Sequence, residues 1–402
     1  MKRRLVWAGG FLLLAVNSLI AQRFSRIGDL IRANRLDEAR SRIVVALHSA
    51  PRDPELLYWK AALESSSGQL EEAEETLLGV IEADRASSLH YLLLAQIYGA
   101  RRQWQQSADS YRQALGRKKT VGTALKLGMA EFRAGRFDAS IETLRPLLEE
   151  TEDNRSMGAQ VHHLLGLAYL GKKDLAPAIE NLLRAVRAVP SDPSFNYDLG
   201  LALLQASRVR EAVRILRKVV ELKPAWAQAH LYLGRALHDS NYSDNALLEF
   251  HKAENLKPGL PLLHYHYGLL YQGRGENDRA IQEFERELSA GSLYPPLYYH
   301  LADLLSKRQE RQRSRRMIQR AIQLDSHQAR FHLLAAKLSL EEGALAEAEG
   351  EVDQALRLEP ESNQAYYLKG RVLQAQGRSA EALTAFERSR RLGDRKGGRV
   401  PH

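Results

Sequence analysis

The residues that invite a chemical reading are few. The segment GLAYLGKK, residues 166–173, comes close to a phosphate-binding loop, in which backbone N–H groups cradle phosphates and a lysine reaches them. Lys173 stands where that loop requires Ser or Thr, and the segment lies in a helical pattern rather than between a strand and a helix. Thirteen histidines suggest metal binding, above all His162-His163 and His264-Tyr265-His266. Neighbours at i+1 or i+2 on a helix do not face one another, so these pairs do not make a ligand set, and half-buried hydrogen-bonded histidines are the better reading. The chain contains no HExxH, GxSxG or GxGxxG. No acid, base and nucleophile converge, so no catalytic residue, cofactor site or metal site is assigned and the expectation is a protein that is not an enzyme. Without cysteine there is no disulfide, thiolate nucleophile or cysteine-ligated metal.

A second candidate is KRQERQRSRR, residues 307–316, where Lys307, Arg308, Arg311, Arg313, Arg315 and Arg316 accompany a single acid. A solvated charged face is the plain reading, and contact with an anionic polymer, lipid or nucleic acid is the other; salt dependence of binding separates them. Asn154-Arg155-Ser156 and Asn241-Tyr242-Ser243 are glycosylation sequons only in a eukaryotic product.

The N-terminus reads MKRRLVWAGGFLLLAVNSLIA: Lys2, Arg3 and Arg4, then an apolar run, then small residues. That order predicts a secretory signal peptide over 1–21, with cleavage after Ala21 or after Ser18. A retained anchor is the alternative, since Leu5 to Ala21 is at the short edge of a spanning helix. Removing 1–21 takes away three basic residues and no acid, lowering the net charge from +9 to +6, an excess too small to imply nucleic acid. An exported chain, periplasmic or extracellular and most simply bacterial, is expected, with membrane contact only through this segment if it stays uncleaved.

The rest of the chain is organised by a 34-residue period. Residues 191–224 and 225–258 align without a gap, and Gly166, Gly200, Gly234, Gly268, Ala302, Ala336 and Gly370 form one column. Ala178, Ala212, Ala246, Ala280, Ser314, Ala348 and Ala382 form a second, Leu182, Leu216, Phe250, Phe284, Ile318, Val352 and Phe386 a third, and Pro190, Pro224, Pro258 and Pro360 a fourth. Upstream, Ile27, Ala61, Ala95 and Gly128 continue the first column with less regular steps. Each unit holds two amphipathic patterns, as in Val209, Val213, Leu216 and Val220. Asp53-Pro54 and Asp192-Pro193 are helix starts, and the fourth-column prolines fall where a second helix must stop. The small columns let two backbones approach, and the third column fills the remaining gap. One such hairpin cannot bury its apolar face alone, whereas stacked neighbours can.

These columns resemble the tetratricopeptide repeat family, a 34-residue helical hairpin with small residues at positions 8, 20 and 27, a large one at 24 and proline at 32; Gly234, Ala246, Phe250, Ala253 and Pro258 match all five. The resemblance covers residues 20–394 in about eleven repeats and implies an all-α fold, a right-handed α-solenoid superhelix of stacked hairpins. Departures are local: Glu287 and Ser389 at position 27, Ser292 and Ser326 in place of proline, and His162, His230, His264 and His332 at position 4. They are expected to loosen some junctions. The frame divides into units one to four (22–148), an irregular acidic junction (149–158) preceded by Pro146 and suited to a hinge, units five to eleven (159–394), and a disordered Gly- and Arg-rich tail (395–402).

The resemblance also implies that first helices line a concave groove into which positions 2, 5, 9, 12 and 13 point. Position 5 is Tyr58, Tyr197, Tyr265, Tyr299 and Tyr367, with His163 in a sixth unit, and tyrosine suits wet protein recognition. Packing against neighbouring first helices is the other role open to any one of these rings. The expected protein-binding groove is therefore Tyr197, Arg235, Tyr265, Tyr299, Lys337, Tyr367 and Arg371. Position 9 is never asparagine, which makes the likeness to the family's carboxylate-clamp receptors poor. The reading is a scaffold or adaptor that binds a peptide or helix of a protein partner. The alternative is an envelope-polymer or glycan adaptor whose tyrosines stack on sugar rings.

Overall fold

A computed structural model describes residues 25–83 and 86–397; the N-terminal segment 1–21 and residues 398–402 lie outside the described residues. Helices account for all the regular structure described, and the chain divides into two compact units after Leu222 rather than at 149–158. The first unit holds α1 (Ser25–Arg32), α2 (Leu36–Ser49), α3 (Pro54–Ser66), α4 (Leu70–Glu82), α5 (Ser88–Ala100), α6 (Trp104–Arg117), α7 (Val121–Arg133), α8 (Phe137–Leu144), α9 (Leu147–Glu150), α10 (Arg155–Gly171), α11 (Leu175–Ala188), α12 (Pro193–Gln205) and α13 (Val209–Leu222). The second holds α14 (Ala227–Asp239), α15 (Ser243–Leu256), α16 (Leu263–Gly273), α17 (Asn277–Ser289), α18 (Pro295–Lys307), α19 (Arg311–Leu324), α20 (Ala329–Glu341), α21 (Leu345–Leu358), α22 (Asn363–Ala375) and α23 (Ser379–Gly397). The fold is an all-α solenoid in which each hairpin packs on the next within its unit. Three residues that composition places in the tail, 395–397, belong to α23. No helix among the described residues is long and apolar enough to cross a membrane.

The ends of the helices follow from side-chain chemistry. The Asp53 carboxylate accepts from the N–H of Glu55 (2.9 Å) and Leu56 (3.2 Å), and Asp192 does the same for Ser194 (2.8 Å) and Phe195 (3.1 Å). Each satisfies donors that a first turn leaves unpaired. Between the two helices of every unit one residue adopts the left-handed conformation, always at position 15. It is glycine at Gly68, Gly135, Gly275, Gly343 and Gly377, but Asn34, Arg102, Lys173, Ser207, Asn241 and Gln309 elsewhere, with φ between 57° and 65°. This is the C-terminal cap of the first helix. Lys173, the lysine of the phosphate-loop look-alike, is thus a helix-terminating residue.

Inside each hairpin the column residues interlock. A Cβ built on Gly166, Gly200 or Gly234 would come within 2.6 Å of Leu182, Leu216 or Phe250. Where position 8 is alanine in the regular block, at Ala302 and Ala336, the facing residue is the slimmer Ile318 or Val352. The serines of position 20 are equally buried and hydrogen-bonded: Ser107, Ser140 and Ser314 donate to the carbonyls of Ala95 (2.7 Å), Gly128 (2.8 Å) and Ala302 (2.7 Å).

Two of the departures make hydrogen bonds within their own hairpins. Glu287 is buried and accepts from the N–H of Leu262 (2.9 Å), whose left-handed φ of 66° delays the start of α16. Ser389 donates to Asn363 O (2.8 Å). Pro146 splits what would be one helix into α8 and α9, because it has no N–H to donate. The core nonetheless runs through the acidic junction: Ile141, Leu144 and Leu147 pack with Val161, Leu164 and Leu165. Thr151 is buried and donates to Leu147 O (2.7 Å), and Asn154 caps α10 by accepting from Met157 N (3.0 Å). Core packing is thus continuous through the segment where a hinge was expected.

Candidate functional site: the first-helix face

The position-4 histidines belong to the scaffold. His230, His264 and His332, at position 4, donate from Nδ1 to Glu249 (2.6 Å), Glu283 (2.7 Å) and Glu351 (2.6 Å), nineteen residues on in the second helix. His162 pairs with Asn181 in the same way (2.9 Å). The other ring nitrogen of His230 and His332 donates to the carbonyls of Pro224 (2.9 Å) and Ser326 (3.0 Å). Tyr298 and Asn196, also at position 4, reach Ser292 O (3.0 Å) and Pro190 O (3.1 Å). Position 4 therefore clasps the hairpin and ties it to the turn before it. Hydrogen bonding to Glu249 and Glu283 raises the pKa of His230 and His264. Burial lowers His266 to about 3 and His300 to about 4, so both are neutral.

The tyrosines of position 5 do not share one role. Tyr265 is only 6% exposed, with Tyr294 edge-on at 5.1 Å, Phe284 at 5.9 Å and His300 at 6.0 Å. This corrects its assignment as a groove contact: it is a core residue, and burial raises its pKa. Tyr58 in the first unit is likewise buried, against Trp59 and His90. Tyr197 is half-buried. Tyr299 is half-buried too, stacked on Phe331 at 5.4 Å, with the Arg330 guanidinium 5.2 Å from its ring centre. Tyr367 is 54% exposed and leans on Phe386.

The second unit thus gathers a recognisable surface on three successive first helices, α18, α20 and α22. Tyr299 and Arg330 form an aromatic and cationic platform. Beside it, Lys307 donates to Asp303 (2.7 Å), and Lys337 lies 3.9 Å from Glu341. Tyr367 and Arg371 are exposed on α22. Arg235, on α14, pairs with Asp239 at 3.7 Å. Solvent-exposed i, i+4 pairs hold each other weakly, so these charges can exchange partners with a ligand.

The basic segment 307–316 is largely ion-paired at the surface, in keeping with a solvated charged face. Besides Lys307, Arg308 meets Asp278 (3.2 Å) and Glu310 (3.0 Å), Arg313 meets Glu285 and Glu310, Arg315 meets Glu342 and Glu347, and Arg311 donates to Gln309 (3.3 Å). Only Arg316 shows no such partner among the described residues. Apart from Asp303 and Glu310, the acids (Asp278, Glu285, Glu342 and Glu347) come from other repeat elements, which is why the segment alone reads as basic.

Comparison with known proteins agrees with the architecture. Tetratricopeptide repeat models match residues 30–97, 92–145, 125–193, 197–261 and 348–395. No curated protein matches the chain by sequence. Among solved structures, the APC/C hetero-tetramer Cut9–Hcn1 is similar at 13% identity and a TM-score of 0.50, covering 86% of this chain and 95% of that one. Yeast Tom70 aligns at 15% identity and a TM-score of 0.49, covering 93% and 92%, and YrrB, described as a TPR protein with an unusual peptide-binding site, at 22% and 0.39, covering 44% and 91%. At these identities the likeness is one of fold. The repeat matches, the position-by-position columns and the stacked hairpins together place this chain in the tetratricopeptide repeat family.

Proposed function

We propose that the chain is an exported, non-enzymatic scaffold that holds a peptide or helix of a protein partner against the first-helix face of its second unit. The observation that carries this reading is the Tyr299–Arg330 platform with its flanking acid–base pairs and the exposed Tyr367 and Arg371. Aromatic rings with polar tips beside exchangeable charges suit an amphipathic polypeptide, offering apolar area and orienting hydrogen bonds together. A photo-crosslinking residue at Tyr299 or Tyr367 should capture a protein, and one at Leu383, 65% exposed on α23, should not. Equal capture at all three would overturn the site. Protease sensitivity of the crosslinked partner favours this reading, and glycosidase sensitivity the polymer-binding alternative. Export is supported by the order of residues 1–21. Mass spectrometry of native protein should then find a start at Gln22 or Leu19, and an intact Met1 on membrane-bound protein would refute export with cleavage.

A further inference from the structure

The outer faces of α4 and α13, both in the first unit, carry opposite charge at equivalent repeat positions. On α13, Arg210, Arg214, Arg217 and Lys218 follow an i, i+4, i+7, i+8 spacing that puts them on one side of the helix. The three arginines are exposed and Lys218 is half-buried, and with Val213 and Glu221 they line a shallow open depression. None of the four has an ion pair among the described residues. The adjacent Glu211 is gripped by Arg208 through two hydrogen bonds (2.7 and 2.8 Å), with Arg214 contributing only to the field around it. That leaves Glu221 as the one acid in the depression, unlike 307–316, where acids reach in from neighbouring helices.

On α4 the pattern is reversed. LEEAEETLLGVIE has five glutamates and no lysine or arginine. Glu71, Glu72, Glu75 and Glu82 are exposed, and Leu78 is 37% exposed among them. Arg101 reaches Glu71 (3.4 Å) and Glu74, but Glu72, Glu75 and Glu82 have no ion pair among the described residues. At about 1.5 Å rise per residue both charged stripes run for roughly 12 to 15 Å. Glu71 and Arg210 both occupy position 18, Glu75 and Arg214 position 22, and Leu78 and Arg217 position 25. We infer that the basic face of α13 docks the acidic face of α4 on a second copy of this chain, with Leu78 meeting Val213 between the charges. Each copy presents both patches, so the contact can run head to tail and stay open to further copies. Exposed ion pairs are individually weak and screened, so the association is weak and salt-dependent.

Sedimentation velocity of the full chain tests this. As salt rises from about 0.01 M to about 1 M the screening length falls from about 30 Å to about 3 Å. The average mass should at least double with concentration at the low end and return to the monomer at the high end. Arg214→Glu with Arg217→Glu, and separately Glu72→Lys with Glu75→Lys, should each be monomeric at low salt with unchanged helical circular dichroism. Mixing the two variants should restore association, because each then presents to the other the charge that its own copies lack. Monomeric wild type at low salt, association that survives either reversal, or a mixture that stays monomeric would overturn the proposal. So would wild type that remains monomeric yet binds phosphatidylglycerol vesicles through the α13 arginines, which would assign the stripe to an anionic membrane instead.

Discussion

The Gly268–Phe284 contact makes a quantitative test of the packing argument. A Cβ at residue 268 would lie 2.5 Å from Phe284 Cδ1, and Phe284 is fully buried, so the ring must move by about 1 Å to restore a normal contact. Overpacking of this kind costs about 1–3 kcal/mol, against which replacing a helical glycine by alanine gains about 1 kcal/mol. Gly268→Ala should therefore destabilise the chain by roughly 1 kcal/mol. Phe284→Ile alone leaves a void and should lose about 1 kcal/mol or more. The double variant reproduces the pair found at Ala302 and Ile318, and it should be more stable than the sum of the singles by about 1 kcal/mol or more. Urea unfolding followed by circular dichroism measures all four states, with the slope checked because a repeat array need not unfold in one step. Hydrogen exchange of α16 and α17 amides locates the effect. Losses that add to within about 0.5 kcal/mol, or a Gly268→Ala variant stabilised by the full helix-propensity gain, would refute the interlock.

Other outcomes follow from the same geometry. Ser207→Gly and Gln309→Gly relieve a left-handed side chain and should each raise the urea midpoint, by about 1 kcal/mol in stability, whereas Gly343→Ala should lower it. Tyr265→Ala should lower the melting temperature, with a cost of about 3 kcal/mol or more, and leave partner affinity of the folded protein intact. Tyr299→Ala with Tyr367→Ala should weaken binding at least about tenfold, equivalent to about 1.4 kcal/mol, while lowering the melting temperature less than Tyr265→Ala does, because Tyr299 is only half-buried and Tyr367 is exposed. Because burial lowers His300 from 6.5 to about 4, the unfolded chain binds the proton more readily between those values, and stability falls as pH drops through that window. A shift of that size is worth at most about 3 kcal/mol, and His300→Gln should flatten the melting temperature between pH 7 and pH 4.5 relative to wild type. The raised pKa of His230 and His264 acts oppositely, giving stability that is present below their ordinary value and lost as pH rises through the folded one.

The architecture was legible from sequence because a repeat writes the same packing requirement at a fixed interval. Gly200 opposite Leu216, Asp192 before Pro193 and Pro224 after α13 are each dictated by neighbours within a few tens of residues. Hydrogen-bonded histidines were legible for the same reason, but His230 and His332 are buried rather than half-buried, and the partners nineteen residues on emerge only from the way the two helices of a hairpin pack. Position 15 carries no residue signature because six residues other than glycine also fill it; the left-handed cap is imposed by the hairpin's geometry rather than by residue type. What the tertiary structure alone decided was which equivalent side chains remain available. Tyr265, Tyr299 and Tyr367 occupy one repeat position, yet Tyr294 and Phe284 enclose the first, Phe331 and Arg330 frame the second, and the last stands open. Likewise 307–316 and α13 look alike as strings of arginine. Acids from other helices reach the first and not the second, because whether a charge is paired depends on what the fold brings within a few ångströms of it.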